Sequence, residues 1–257
     1  MKVEAEGRSR SNHSRGRRWH GDSGRFLRHG LRGDMHKFRG IKFIIFDLDG
    51  TLIDGYRAIH DSLNTALGQM GKEPVSLTKV KRLVGTGLEN LLREFVSEEE
   101  LPEAVRIFRA RFKEVCLTGS FLLGGVEPVL KKLKGAGIRL GIASNKPGER
   151  VRDICRHLKI DGYFEAMLGA MDVKELKPHP EMMQETMRRM GARSEETLYV
   201  GDMHLDVQTA RAAEVRVACV LTGSSTREQL TEAEPDAIIE TLEELTGLVG
   251  VGSTKSK

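Results

Sequence analysis

Apolar and polar residues along this chain follow two successive patterns. The first opens at Phe43-Ile44-Ile45-Phe46, four consecutive apolar residues that predict a strand buried on both faces, as in a parallel sheet. A helical period then takes over. Ile59, Leu63, Leu67 and Met70 share one face of a first helix, which Gly71 ends. Leu77, Val80, Leu83 and Val84 mark a second helix, and Leu88, Leu91, Leu92 and Phe95 a third. Ala104, Ile107, Phe108, Phe112 and Val115 mark a fourth, ending near Gly119. Four short amphipathic helices predict a small antiparallel bundle inserted after the first strand. From Gly125 the second pattern begins, in which helices alternate with strands. Val126, Val129, Leu130 and Leu133 form one helix face, and Val151, Ile154, Cys155 and Leu158 another. Met183, Met187 and Met190 line a third, which reads as core packing. Strands are predicted over 138–143, near 164–168, and over 198–200, 215–221 and 237–239. The alternation predicts an α/β fold, a parallel sheet covered by helices on both faces.

Composition changes this picture only at the amino end. Residues 1–34 carry nine Lys/Arg and four Asp/Glu, a net +5. The other 223 residues carry 32 basic and 33 acidic groups. The formal charge of +4 therefore belongs to the leader, and the body gives no electrostatic reason to expect nucleic acid as its substrate. The leader shows no strand or helix period and reads as disordered, as does the tail from Gly250. Three readings of the leader stay open. It is an arm for nucleic acid or an anionic surface, a transit-like extension, or a segment outside the natural protein. Met35, six residues before Ile41 and the apolar run that follows it, favours the last. No secretory signal or membrane-spanning run is expected. Cys116, Cys155 and Cys219 have no metal or redox spacing and read as buried thiols of a cytoplasmic protein.

The candidate chemistry lies where the predicted strands end, because a parallel sheet brings its carboxyl ends to one edge. The first strand runs into Asp47-Leu48-Asp49-Gly50-Thr51. Two close carboxylates repel, and a divalent cation relieves them. Ser144-Asn145 follows the second strand of the sheet and can bind phosphate oxygens or simply cap a helix. Lys177-Pro178-His179-Pro180 presents an ammonium suited to an anion, with Lys174 as a competitor; His179 reads as an exposed loop residue. Gly201-Asp202 ends another strand, and Asp206 follows where a helix would begin. An N-cap with an acid in the first turn is the plainer explanation of that pair.

Asp47-Leu48-Asp49-Gly50-Thr51-Leu52 resembles the first motif of the haloacid dehalogenase-like phosphohydrolase superfamily. Ser144, Lys177, and Asp202 with Asp206 resemble the remaining three motifs in order and setting, and the resemblance covers roughly residues 41–245. It implies a Rossmann-like core, residues 41–54 and 125–249, and a helical cap, residues 55–124. It also implies roles. Asp47 would be the nucleophile that forms an aspartyl-phosphate. Asp49 would be the acid that protonates the leaving oxygen and then the base for water. Thr51 and Ser144 would hold phosphate oxygens with Asn145 nearby, and Lys177 would offset negative charge. Mg2+ would be held by Asp47, the Asp49 carbonyl and Asp202, with Asp206 in support. The physics agrees, because a carboxylate attacking a phosphate ester brings two anions together and needs cations there. Asp49 also argues against halide release, since halide leaves without a proton.

The chain looks most like the phosphoglycolate phosphatase branch of this superfamily. That branch implies a small phosphorylated metabolite as substrate. Gly85-Thr86-Gly87, between two cap helices, either brings backbone close to that ligand or is a plain interhelical turn. Pyrophosphatase and β-phosphoglucomutase-like transfer are the alternatives. A phosphonatase would need a cap lysine such as Lys72, Lys79 or Lys81. A non-catalytic binding protein is the remaining class. A monomer or homodimer in the cytoplasm, with no membrane partner, completes the expectation.

Overall fold

The computed structural model describes residues 37–251. The basic leader and residues 252–257 of the tail lie outside the described residues. Strand β1 (Phe43–Phe46) is followed by the short β2 (Ile53–Asp54) and four helices, α1 (Tyr56–Gln69), α2 (Leu77–Leu83), α3 (Leu88–Arg93) and α4 (Leu101–Val115). Strand β3 (Phe121–Leu122) then returns to pair antiparallel with β2. The remaining elements are α5 (Val126–Gly135), β4 (Arg139–Pro147), α6 (Gly148–His157), β5 (Phe164–Ala170) and α7 (Glu181–Met190). After these come β6 (Thr197–Gly201), α8 (His204–Ala212), β7 (Arg216–Val220), α9 (Arg227–Glu232), β8 (Ala237–Ile239) and α10 (Glu244–Leu248).

Six strands form one parallel sheet in the order β5-β4-β1-β6-β7-β8. The chain winds outward from β1 to β5, then crosses back to β6 on the other side of β1. Such a reversal leaves a crevice at the carboxyl ends of the central strands. The four apolar residues of β1 serve both faces, as a period of two requires. Ile44 and Phe46 enter one apolar cluster with Val129 and Leu133 of α5 and Val151 of α6. Phe43 and Ile45 enter the other, with Met183 and Met187 of α7 and Val207 of α8. The predicted methionine stripe is thus core. Helices α1 to α4 extend the first cluster through Leu63, Leu67, Val80, Leu92 and Ile107.

The predicted helices and strands of the sheet are present, with three departures. Ser144-Asn145, expected beyond the end of its strand, continues β4, which runs on through Lys146 to Pro147. Ser144 pairs with Gly169 and Pro147 with Ala170, so Asn145 and Lys146 bulge out between the two pairings. Gly169 makes room for the bulge, because a side chain there would lie 2.2 Å from the Lys146 carbonyl oxygen. Second, the helix after Asp202 starts at His204, two residues earlier than Asp206. Third, β2 and β3 are pieces of two residues with no readable period, and only their pairing makes them strands. The three cysteines are buried and free. No helix among the described residues is long and apolar enough to cross a membrane.

Because β1 is buried on both faces, Ile44→Ala and Ile45→Ala should each destabilise the fold by about 2–5 kcal/mol. Urea unfolding of the two variants checks this. A neutral effect at either position would mean that one face of the sheet is not packed.

Candidate active site

The ends of β1, β4 and β6 and the loop after β5 meet at one edge, and a buried ammonium joins three of them. Lys177 Nζ donates to Asp47 Oδ1 at 2.9 Å, to Asp206 Oδ1 at 2.7 Å and to the Tyr199 hydroxyl at 3.0 Å. Lys177 is 5% exposed, whereas Lys174 is exposed, so the structure chooses between the two candidate lysines. Burial alone would lower the Lys177 pKa. Asp206 and Asp47 outweigh it and hold the group well above its ordinary value, so it stays charged. The second oxygen of Asp206 accepts from the backbone N–H groups of Asp202 (3.1 Å) and Met203 (3.0 Å). The plain expectation for Asp206, an acid in the first turn of a helix, therefore holds beside the functional one.

One carboxylate oxygen from each of Asp47, Asp202 and Asp206 lies within 4.8 Å of the others, and all three residues are buried. Three carboxylates facing one ammonium leave two negative charges uncompensated. Burial raises Asp47 to about 6, against the pull of Lys177, and burial with Asp206 and Asp47 raises Asp202 well above the usual carboxylate range. A divalent cation would neutralise the two charges, and an all-oxygen donor set suits Mg2+ better than Zn2+. Asp206 is a poor direct ligand because Lys177, Tyr199 and two amides already use its oxygens. Asp47 and Asp202 are the better ones. Asp202 is fixed by the Ser224 N–H at 2.9 Å and by the Thr51 hydroxyl at 3.2 Å.

Asp49 is apart from this cluster. Its Oδ2 meets Lys146 Nζ at 2.9 Å, and both side chains are largely buried. Its Oδ1 is buried without a hydrogen-bond partner among the described residues, as is the Ser120 hydroxyl. Both oxygens flank Gly55, where a side chain would lie 2.3 Å from Asp49 Oδ1.

Asp47, Asp49, Ser144, Lys146 and Lys177 line a cavity of about 380 Å³. Its opposite wall is apolar and comes from the helical insert, through Ile59, Val84, Leu88, Leu91, Phe108 and Phe112. The loop between α2 and α3 closes onto the sheet edge. The Gly85 carbonyl accepts from Asn145 Nδ2 at 3.0 Å, and Gly85, at φ 125°, packs so closely on Met203 that a side chain would lie 2.2 Å from its sulfur. Only glycine suits both conditions.

These contacts redirect three sequence expectations. The Thr51 hydroxyl faces Asp202 and does not line the cavity. The Asn145 side chain braces Lys177 from both sides, accepting from its N–H and donating to its carbonyl, and ties that loop to Gly85. Thr86 does not line the cavity, and its carbonyl accepts from Asn90, while Gly85 and Gly87 do line it.

A family model described as haloacid dehalogenase-like hydrolase matches residues 44–220. The chain belongs to the haloacid dehalogenase-like hydrolase family. It is 33% identical to a phosphoglycolate phosphatase of Photorhabdus laumondii, over 84% of this chain and 96% of that protein. Among solved structures it resembles a predicted phosphoglycolate phosphatase from Haemophilus somnus 129pt. The TM-score is 0.74 at 28% identity, covering 80% of this chain and 96% of the other. It also resembles Protein Tyrosine Kinase A of Mycobacterium tuberculosis, with a TM-score of 0.72 at 28% identity over 82% and 99% of the two chains. The chain is a hydrolase of this family, and its curated relatives set it among the phosphatases.

Within the family's four-motif frame, sequence reasoning overlooked Lys146, Tyr199 and Ser224. Lys146 directly follows Ser144-Asn145, and its importance shows only once the bulge turns it toward Asp49. Tyr199 sits mid-strand, where an aromatic reads as core. Ser224 belongs to the loop after β7, which carries no acidic or glycine-rich signal of its own.

The uncompensated charge makes a thermal prediction. Mg2+ at 100-fold above its Kd should stabilise the wild type by about 2.7 kcal/mol, roughly 5–10 °C in Tm. Asp202→Asn should show little or no shift. An equal shift in both proteins would mean that the cation binds elsewhere.

Proposed function

We propose that this hydrolase is a Mg2+-dependent phosphatase of small phosphorylated metabolites, of the phosphoglycolate type, working through an aspartyl-phosphate on Asp47. The observation that carries this reading is the Lys177 bridge between Asp47 and Asp206, beside Asp202 and at the wall of the cavity under the helical insert. The names of the curated relatives support the substrate class. On this reading residues 55–124 act as a cap over the core.

Asp47 has one oxygen on Lys177, and its other accepts no hydrogen bond among the described residues. That second oxygen attacks phosphorus as the bond to the leaving oxygen breaks. Asp49 gives the leaving oxygen its proton, a contribution of about 10²–10⁴-fold when the leaving group is an alkoxide. Water then attacks phosphorus, the bond to Asp47 breaks, and Asp49 takes the proton from water. Lys177 keeps Asp47 ionised and aimed while charge spreads over the phosphoryl oxygens. Ser144, in the cavity wall, contributes a hydroxyl toward those oxygens. Asp47, Asp202 and the Asp49 carbonyl would hold Mg2+, which supplies the remaining positive charge. The cap wall excludes water while the ester is bound.

A second reading rests on the cavity itself. About 380 Å³ walled by two phenylalanines and four aliphatic residues is more than a two-carbon ester fills. It favours a phosphate monoester with a larger apolar part, on the same chemistry.

A screen of phosphate monoesters from phosphoglycolate to aryl-bearing esters, with and without EDTA, tests both readings. Turnover should need Mg2+ and disappear in Asp47→Asn. Metal-free turnover by Asp47→Asn would overturn the mechanism. Gly55→Ala should push Asp49 aside and lower kcat by about 10²-fold or more on esters with poor leaving groups. Its Tm should change little, and an unchanged kcat would mean that Asp49 is not the acid.

A further inference from the structure

We propose that Lys146 determines leaving-group specificity by binding an anionic group carried next to the scissile ester oxygen. This rests on the phosphatase reading above, with Asp49 at the leaving oxygen. Five cationic side chains line the cavity, and four have other roles or open positions. Lys177 is held by Asp47 and Asp206 on the phosphoryl side. Arg109 pairs with Glu89, and Arg150 pairs with Glu149 and Asp153. Lys113 is exposed. Lys146 is different. It is 8% exposed and pairs with Asp49 alone among the acids of the described residues.

Its position gives the pairing a direction. The Lys146 ammonium lies 2.9 Å from Asp49 Oδ2 and 4.7 Å from the centre of the Phe112 ring. It therefore stands where the sheet edge meets the cap wall, on the leaving-group side of the site. The bulge in β4 puts it there, since the backbone of residues 145–146 leaves the strand register between Ser144 and Pro147. A leaving oxygen within hydrogen-bond distance of Asp49, about 3 Å, places a group on the adjacent carbon within reach of the same ammonium. A carboxylate there would take Lys146 over from Asp49, one anion replacing another on a buried cation. The Lys146 charge then stays compensated, and Asp49, released from the ammonium, can take up from solvent the proton that it gives to the ester oxygen. An ester without that anion offers Lys146 nothing, and the lysine remains on Asp49 in competition with the leaving group. A buried charge-assisted contact of this kind discriminates by about tenfold to a hundredfold.

The test separates this role from the phosphatase reading by measuring binding and turnover apart. In full-length Asp47→Asn protein, which leaves ligands intact, calorimetry gives Kd for 2-phosphoglycolate and for ethyl phosphate, which lacks the carboxylate. The carboxylate ligand should bind at least tenfold tighter. Lys146→Gln should bring the ratio of the two Kd values close to one, and Lys146→Arg should restore part of it. No preference in the Asp47→Asn protein, or a preference that survives Lys146→Gln, overturns the proposal, and the first of these outcomes needs no Lys146 variant to fold. Turnover is read in the protein with Asp47 intact. If neither ester is hydrolysed but the binding preference depends on Lys146, the phosphatase reading fails and the specificity role stands.

Discussion

The site depends on one buried ammonium. Lys177 comes from the loop after β5, Asp47 from the end of β1 and Asp206 from the first turn of α8. Without a cation among them, these acids would face one another inside the protein, where charge repulsion is barely screened. The ammonium therefore does two things at once. It lets the ends of the central strands approach, and it fixes which oxygen of Asp47 remains available to the cavity. Because one ammonium cannot balance three carboxylates, the same arrangement calls for a divalent cation. Structure and chemistry share a cause here, since the charge imbalance that raises Asp47 and Asp202 is what a metal and a phosphoryl group together would resolve.

The second layer of the site is joined to the first by Asn145. Its side chain binds Lys177 through both backbone groups and reaches Gly85 in the helical insert. A single amide thus links the position of the ammonium to the position of the opposite wall. The contact of Gly85 with Met203 adds a steric stop. The edge of the sheet and the insert are registered to each other by hydrogen bonds as well as by packing. This suits a site that has to exclude water from a reactive ester.

Much of this was legible in the sequence because it follows from local rules. A four-residue apolar run ending in acids predicts a buried central strand with acids at its carboxyl end, and β1 with Asp47 is that. Helical periods located α1 to α4, and alternating elements located the sheet. What escaped depends on pairing at long range. Whether Ser144–Pro147 turns or continues as a strand is decided by Gly169, twenty-five residues away, which leaves room for a bulge. Thr51 was expected on phosphate, yet its hydroxyl is taken by Asp202, 151 positions along the chain. Lys146 could not be assigned from spacing, because a bulge reverses the side to which a residue points. Sequence patterns report which elements form, and the contacts between elements decide where each polar atom is directed.

The division between phosphoryl group and leaving group follows from the same geometry. Asp47, Lys177, Asp202 and Asp206 belong to strand ends and their flanking turns, and on the proposed mechanism they would serve the phosphoryl group whatever the ester carries. The leaving group meets different surfaces, the apolar wall of the insert and the bulged stretch of β4. Asn145 and the Gly85–Met203 contact tie those surfaces to the buried cluster. Lys146 ties them to Asp49, since it reaches from the bulge to that carboxylate and also lies against Phe112 of the insert. A charge at that junction couples the apolar wall of the insert to Asp49, which neither surface can do alone.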